Sequence, residues 1–114
     1  MIDQLTTALR SYRLRFGTEA DLQADIDTLL TAEGIDFVRE YRLSAKDRID
    51  FLVARIGIEC KTSGSMGAIA QQLLRYAASN EIDALVLVTR RRYDLPETLN
   101  GKLLRVVWIG GNGL

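Results

Sequence analysis

Asp50, Glu59 and Lys61 are the residues whose types and spacing could do chemistry. They fall in the stretch Arg48-Ile49-Asp50-Phe51-Leu52-Val53-Ala54-Arg55-Ile56-Gly57-Ile58-Glu59-Cys60-Lys61. Its two halves, Ile49–Ala54 and Ile56–Cys60, are rich in β-branched and aromatic residues and read as short strands joined around Arg55. Side chains alternate along a strand, so Glu59 and Lys61 share a face. A hairpin folded about the Ala54–Arg55 bond sets Asp50 directly opposite Glu59 on that same face. Two carboxylates opposed across a ladder repel. A divalent cation between them turns the repulsion into coordination, because hard cations such as Mg²⁺ take carboxylate oxygens. Asp50, Glu59 and Lys61 therefore read as a site.

Asp50 followed by Glu59-Cys60-Lys61 resembles the D…(D/E)-x-K core of the PD-(D/E)XK nuclease superfamily, which includes restriction enzymes, Holliday-junction resolvases and RecB-type nucleases. Ile49 stands where that superfamily usually has proline. A second motif lies downstream: Gln72-Leu-Leu-Arg-Tyr76 is similar to the Q-x-x-x-Y motif of RecB-type branches. Gln72 and Tyr76 are one helical turn apart and share a face. The resemblance implies a restriction-endonuclease-like core and metal-dependent hydrolysis of DNA phosphodiester bonds, with Mg²⁺, or Mn²⁺ in its place, as cofactor. It implies Asp50, Glu59 and the Cys60 backbone carbonyl as metal-binding groups, with a third carboxylate on a preceding helix. Glu19 is the candidate for that position; Asp25 and Asp27 are alternatives, and an acidic residue in a first turn is also favoured by the helix dipole alone. Lys61 would orient or help deprotonate the attacking water, and Gln72 would position that water or a phosphate. A surface glutamine beside a core tyrosine is the plainer account of Gln72 and Tyr76. Arg48, Arg75, Tyr76 and Arg90-Arg91-Arg92 are candidate nucleic-acid contacts, although an arginine triplet after a strand also serves as a solvated gatekeeper.

Composition bounds these readings. A chain of 114 residues, 47% hydrophobic and 26% charged, is one domain with an ordinary globular balance. The sequence has no histidine, which excludes Ser-His-Asp hydrolysis and His-based zinc or nuclease sites and leaves carboxylates and lysine for metal chemistry. A single cysteine excludes an internal disulfide and suits a reducing, cytoplasmic setting. No apolar run approaches the ~20 residues of a membrane span, and no signal-peptide pattern opens the chain. Net charge is zero, so any basic surface must arise by local clustering.

Apolar residues at Ile2, Leu5, Leu9, Tyr12 and Phe16 predict a first helix within residues 1–17, with Arg10, Arg13 and Arg15 towards its end and Gly17 as C-cap. Dipole complementarity accounts for those arginines; phosphate contact is the alternative. Thr18 through Asp21 is a cap signal for a second helix that carries Leu22, Ile26, Leu29 and Leu30 and ends at Gly34. Phe37–Leu43 alternates, predicting a strand with Phe37, Arg39, Tyr41 and Leu43 on one face; Glu40, on the other, could be a ligand or simply solvated. A third helix from about Gly67 to Ser79 buries Ile69, Leu73, Tyr76 and Ala77. The unbroken apolar run Ala84–Thr89 predicts a strand parallel to the Glu59 strand. Pro96 marks a loop or a short helical start, Leu103–Ile109 a last strand, and residues 110–114 a flexible tail.

The expected fold is α/β, a mixed sheet of four to five strands flanked by helices in the order α-α-β-β-β-α-β-β, which matches the superfamily core. The expected partners are DNA and a second copy of the chain, since cutting two strands with one site per chain needs two chains. A larger recombination or repair complex and no membrane complete the expectation. Two rivals stand beside it: a nuclease-fold binding subunit with little activity alone, and a non-catalytic interaction domain.

Overall fold

The computed structural model describes residues 1–14 and 17–109. Helices α1 (Ile2–Ser11) and α2 (Glu19–Ala32) lead into β1 (Val38–Arg42), β2 (Arg48–Val53) and β3 (Ile56–Lys61). Helix α3 (Met66–Ala77), β4 (Ala84–Thr89), β5 (Thr98–Leu99) and β6 (Lys102–Trp108) follow. The strands form one open mixed sheet of six in the order β1-β2-β3-β4-β6-β5. It has more strands than the four to five expected. The addition is β5, two residues long, paired antiparallel with the start of β6. Pro96 accordingly lies in a loop that enters this strand, not in a helical start.

The sheet separates two cores. On one side α1 and α2 pack Leu5, Leu9, Leu22, Ile26 and Leu30 against Phe51, Ile58, Cys60, Val86 and Val107. On the other, α3 packs Ile69, Leu73, Tyr76 and Ala77 against Leu85, Leu87, Leu99 and Leu104. Strand β4, between two parallel neighbours, is buried at every position, which accounts for its uninterrupted apolar run. Among the described residues no helix is long and apolar enough to cross a membrane.

Helix α1 ends sooner than the apolar spacing predicts. Tyr12 leaves the helical conformation at φ −88°, ψ 146°, and the chain turns so that Leu14 enters the first core. Arg15 and Phe16 lie outside the described residues, as does the predicted tail from Gly110. Gly17 is therefore not a C-cap. It precedes the Thr18 N-cap of α2, where Asp21 reaches back to the Thr18 N–H in a capping box. A Cβ at Gly17 would lie 2.0 Å from Asp21 Oδ2, so the cap requires glycine there.

The hairpin turns as the sequence implies. Val53 pairs with Ile56, leaving Ala54-Arg55 as a two-residue turn with Ala54 at φ +54°. One expectation about β1 fails. Phe37 and Arg39 lie on the α2 side, Arg39 over the Phe51 ring, whereas Tyr41 and Leu43 join the α3-side core. Strand β2 changes sides at the same level, with Phe51 in the first core and Ile49 in the second. The ladder pairs Arg39 with Phe51 and Tyr41 with Ile49, skipping Glu40 and Asp50 between them. Glu40 sits at φ +50°, and a left-handed residue within a strand breaks the alternation that the prediction assumed.

Candidate functional site

The site grows out of this irregular level of the sheet. Continuing the β2–β3 register past Phe51–Ile58 sets Asp50 level with Glu59. The ordinary ladder is replaced there by side-chain bonds: the Asp50 N–H donates to Glu59 Oε1 at 3.2 Å, and the Cys60 N–H donates to Asp50 Oδ2 at 2.8 Å. Glu59 is only 4% exposed, and among the described residues it is the only buried charged side chain. Lys61, two residues on and on the same face, places Nζ 3.6 Å from Glu59 Oε2.

Helix α3 closes the site from the second core. The Tyr76 hydroxyl accepts a bond from Gln72 Nε2 at 2.7 Å. Its own proton lies within reach of both the Arg48 carbonyl, at 3.2 Å, and Glu59 Oε2, at 3.3 Å. The N-cap of α3 is Ser65, whose Oγ accepts the Ala68 N–H. This fixes the start of the helix, and its 3.6-residue repeat then carries Gln72 and Tyr76 to the carboxylates together. Glu19, in the first turn of α2, accepts the Thr62 N–H at 3.2 Å, just beyond Lys61.

Burial, first, and the neighbouring Asp50 push Glu59 up to about 8 from its ordinary value of 4.5; Lys61, the Asp50 N–H and Tyr76 pull in the other direction. Burial likewise raises Asp50, opposed by the Cys60 N–H and Lys61, while the charges of Glu19 and Glu40 add to the rise. Burial next to the same carboxylates raises Tyr76, which therefore acts as a hydrogen-bond donor in its neutral form. The Cys60 side chain sits on the opposite face in the first core, its thiol pushed well above the usual range by burial. Only its backbone carbonyl remains a candidate donor. Among the described residues no three His, Cys, Asp or Glu side chains gather closely enough to enclose a metal ion. Glu19 thus stands near the pair, bonded to the Thr62 backbone.

The candidate nucleic-acid contacts divide into two groups. Arg48 and Arg75 line a cleft of about 320 Å³ beside Gln72 and Tyr76, joined there by Arg42 and Lys46. Arg75 pairs with Asp47 at 3.0 Å and Arg48 with Glu40 at 3.5 Å. Arg42 and Lys46 were not foreseen; the signal was four cations among residues 42–48 and 75, brought together only by the turn that precedes β2. Arg90 lies beside the site, its N–H donating to the Lys61 carbonyl at 3.3 Å and its side chain to the Gly17 carbonyl. Arg91 lies over the Tyr93 ring and Arg92 over the Trp108 ring, further along the edge. Of the alternative acids, Asp27 pairs with Arg39 of β1 at 3.3 Å. A larger hollow of about 640 Å³ between α1 and α2 shares no residue with these sites and is lined by Asp3 and Glu33 but no cation.

The chain matches no protein-family model, no curated protein and no solved structure.

Proposed function

We propose that this protein is a divalent-metal-dependent phosphodiester hydrolase acting on DNA, built on a restriction-endonuclease-like variant of the six-stranded α/β sheet. One observation carries the reading: a buried glutamate faces a second carboxylate across a broken ladder, with a lysine 3.6 Å away. A charged group is costly to bury without compensation, and Asp50 adds to the cost at Glu59. An all-oxygen donor set under mutual repulsion suits a hard cation such as Mg²⁺ or Mn²⁺. Asp50, Glu59 and the Cys60 carbonyl would hold it, and Glu19 would have to leave the Thr62 N–H to complete the set.

Such an ion, when bound, supplies Lewis-acid neutralisation of the scissile phosphate and acidifies water. The chain supplies the rest. Lys61 presents a compact cation beside Glu59, placed to orient the attacking water and to stabilise charge developing on phosphate oxygens. Tyr76, held by Gln72, can donate its proton to Glu59 Oε2 and so favours the ionised carboxylate needed for binding a cation. The cleft of Arg42, Lys46, Arg48 and Arg75 opens directly on Gln72 and Tyr76 and would grip the phosphates flanking the cut. A second copy of the chain would be needed to cut both strands of a duplex.

The test is cleavage of labelled linear, single-stranded, duplex and four-way-junction DNA with Mg²⁺ or Mn²⁺, with Lys61→Ala alongside. Metal-dependent cutting that disappears in Lys61→Ala, while circular dichroism and the melting midpoint stay close to those of the parent, is the expected result. Cutting that survives the substitution would remove Lys61 from the site. No cutting of any substrate would leave a nucleic-acid-binding subunit or an interaction domain instead.

A further inference from the structure

Strand β6 runs parallel to β4, with Trp108 level with Thr89 and Thr89 level with Lys61. At about 4.8 Å per strand, Trp108 stands roughly 10 Å from Lys61 along one end of the sheet. Arg90 joins the two: its N–H donates to the Lys61 carbonyl, and its carbonyl accepts the Trp108 Nε1–H at 3.2 Å. Around Trp108 opens a cleft of about 560 Å³ lined by Arg10, Tyr12, Arg13 and Arg92. The Arg92 guanidinium lies 3.9 Å from the Trp108 ring centre, and Arg10 reaches the Val106 carbonyl at 3.4 Å. Tyr12 and Trp108 are each more than a third exposed. Among the described residues no carboxylate lines this cleft, although acids and bases are equal in number over the whole chain.

From this juxtaposition we infer that the Arg10–Tyr12–Arg13–Arg92–Trp108 cleft is a binding site for single-stranded nucleic acid leading to Lys61. Arginines without acidic neighbours attract the phosphate backbone, and exposed aromatic and guanidinium planes give unpaired bases surfaces to stack on. A duplex keeps its bases stacked inside and cannot use those planes. The distance from Trp108 to Lys61 corresponds to about three stacked nucleotides at 3.4 Å each. The cleft deepens the hydrolase reading by naming its substrate as a single strand or a frayed end, and for that role it rests on that reading. Binding itself does not depend on the carboxylates.

Trp108 is the only tryptophan, so its emission reports on this cleft alone. The experiment titrates the full chain, in chelator so that no cleavage occurs, with short oligothymidylate at increasing salt. The expected result is saturable quenching whose log affinity falls linearly with log salt. In Arg10→Ala/Arg13→Ala, which leaves Trp108 and Arg92 in place, affinity should drop about tenfold or more and the salt slope should flatten by about 1.4, or 0.7 for each lost phosphate contact. No quenching at low salt would overturn the inference, as would quenching unchanged in the double variant. A change in emission that follows protein concentration without oligonucleotide would assign the cleft to a second copy and overturn it equally. Binding without metal-dependent cleavage would instead retain this cleft and refute the hydrolase reading. Cleavage of single strands with the parent KM in the double variant would do the reverse.

Discussion

Replacing Glu59 by glutamine isolates the electrostatic perturbation at the centre of the site. Glu59 holds its proton up to about pH 8 in the folded chain, whereas its ordinary value is 4.5. Between those limits the folded state carries a proton that the unfolded chain has released. Stability from this group is therefore fully present below pH 4.5 and is lost as pH rises through 8. Each pH unit in that window is worth about 1.4 kcal/mol, so the loss sums to roughly 5 kcal/mol, comparable with the entire stability of many domains of this size. The glutamine that replaces Glu59, neutral at every pH, can keep the bond from the Asp50 N–H on its one oxygen, while its Nε2 donates to the Tyr76 oxygen and the Tyr76 proton goes to the Arg48 carbonyl. Urea unfolding in chelator across this pH range, for parent and Glu59→Gln, reads the difference directly. The two should be similar near pH 4.5 and diverge steadily, with the variant the more stable by several kcal/mol at pH 8. Parallel profiles, or a parent that gains on the variant as pH rises, would refute the reasoning. Divalent cation should reverse the sign in the parent, because binding to the folded state stabilises it and displaces the proton.

Tyr76→Phe removes a hydroxyl that lowers Glu59 and anchors Gln72. The pH–rate profile of cleavage should shift towards alkaline pH with the fold retained; an unmoved profile would exclude that role. Gly57→Ala would place a Cβ 2.2 Å from Ile49 Cδ1 and 3.1 Å from both Ile82 Cδ1 and Leu85 Cδ2. Overpacking of this kind costs about 1–3 kcal/mol, to be seen as a lower urea midpoint at unchanged slope.

Much of the architecture was legible because its causes are local. The β-branched runs and the symmetry of the hairpin about Ala54–Arg55 give the register that levels Asp50 with Glu59. An apolar run too continuous for a half-exposed strand marks β4 as buried between parallel neighbours. What stayed hidden depends on the backbone leaving its ordinary conformation or on distant packing. Alternation arithmetic cannot see Glu40 at φ +50°, so the change of sides at Tyr41 and Ile49 was missed. Helical spacing could not show that burying Leu14 ends α1 at Ser11. A two-residue strand such as β5 has no periodicity to detect. At the site, types and spacing sufficed to group Asp50, Glu59 and Lys61 and to set Gln72 and Tyr76 on one helix face; only the motif resemblance joined the two sets. The Arg42–Lys46 cleft and the Arg92–Trp108 stack did not follow, because turns and crossovers bring together residues that carry no pattern in the sequence.

The central claim is that Asp50 and Glu59 together hold a divalent cation. Calorimetric titration with Mn²⁺ at pH 6 and pH 8, in buffers of different ionisation heat, measures binding and proton release together. The account predicts one site that strengthens about tenfold per pH unit towards pH 8, releases about one proton at the lower pH, and is lost in Glu59→Gln. Absence of binding by the parent, or equal binding by Glu59→Gln, would contradict it.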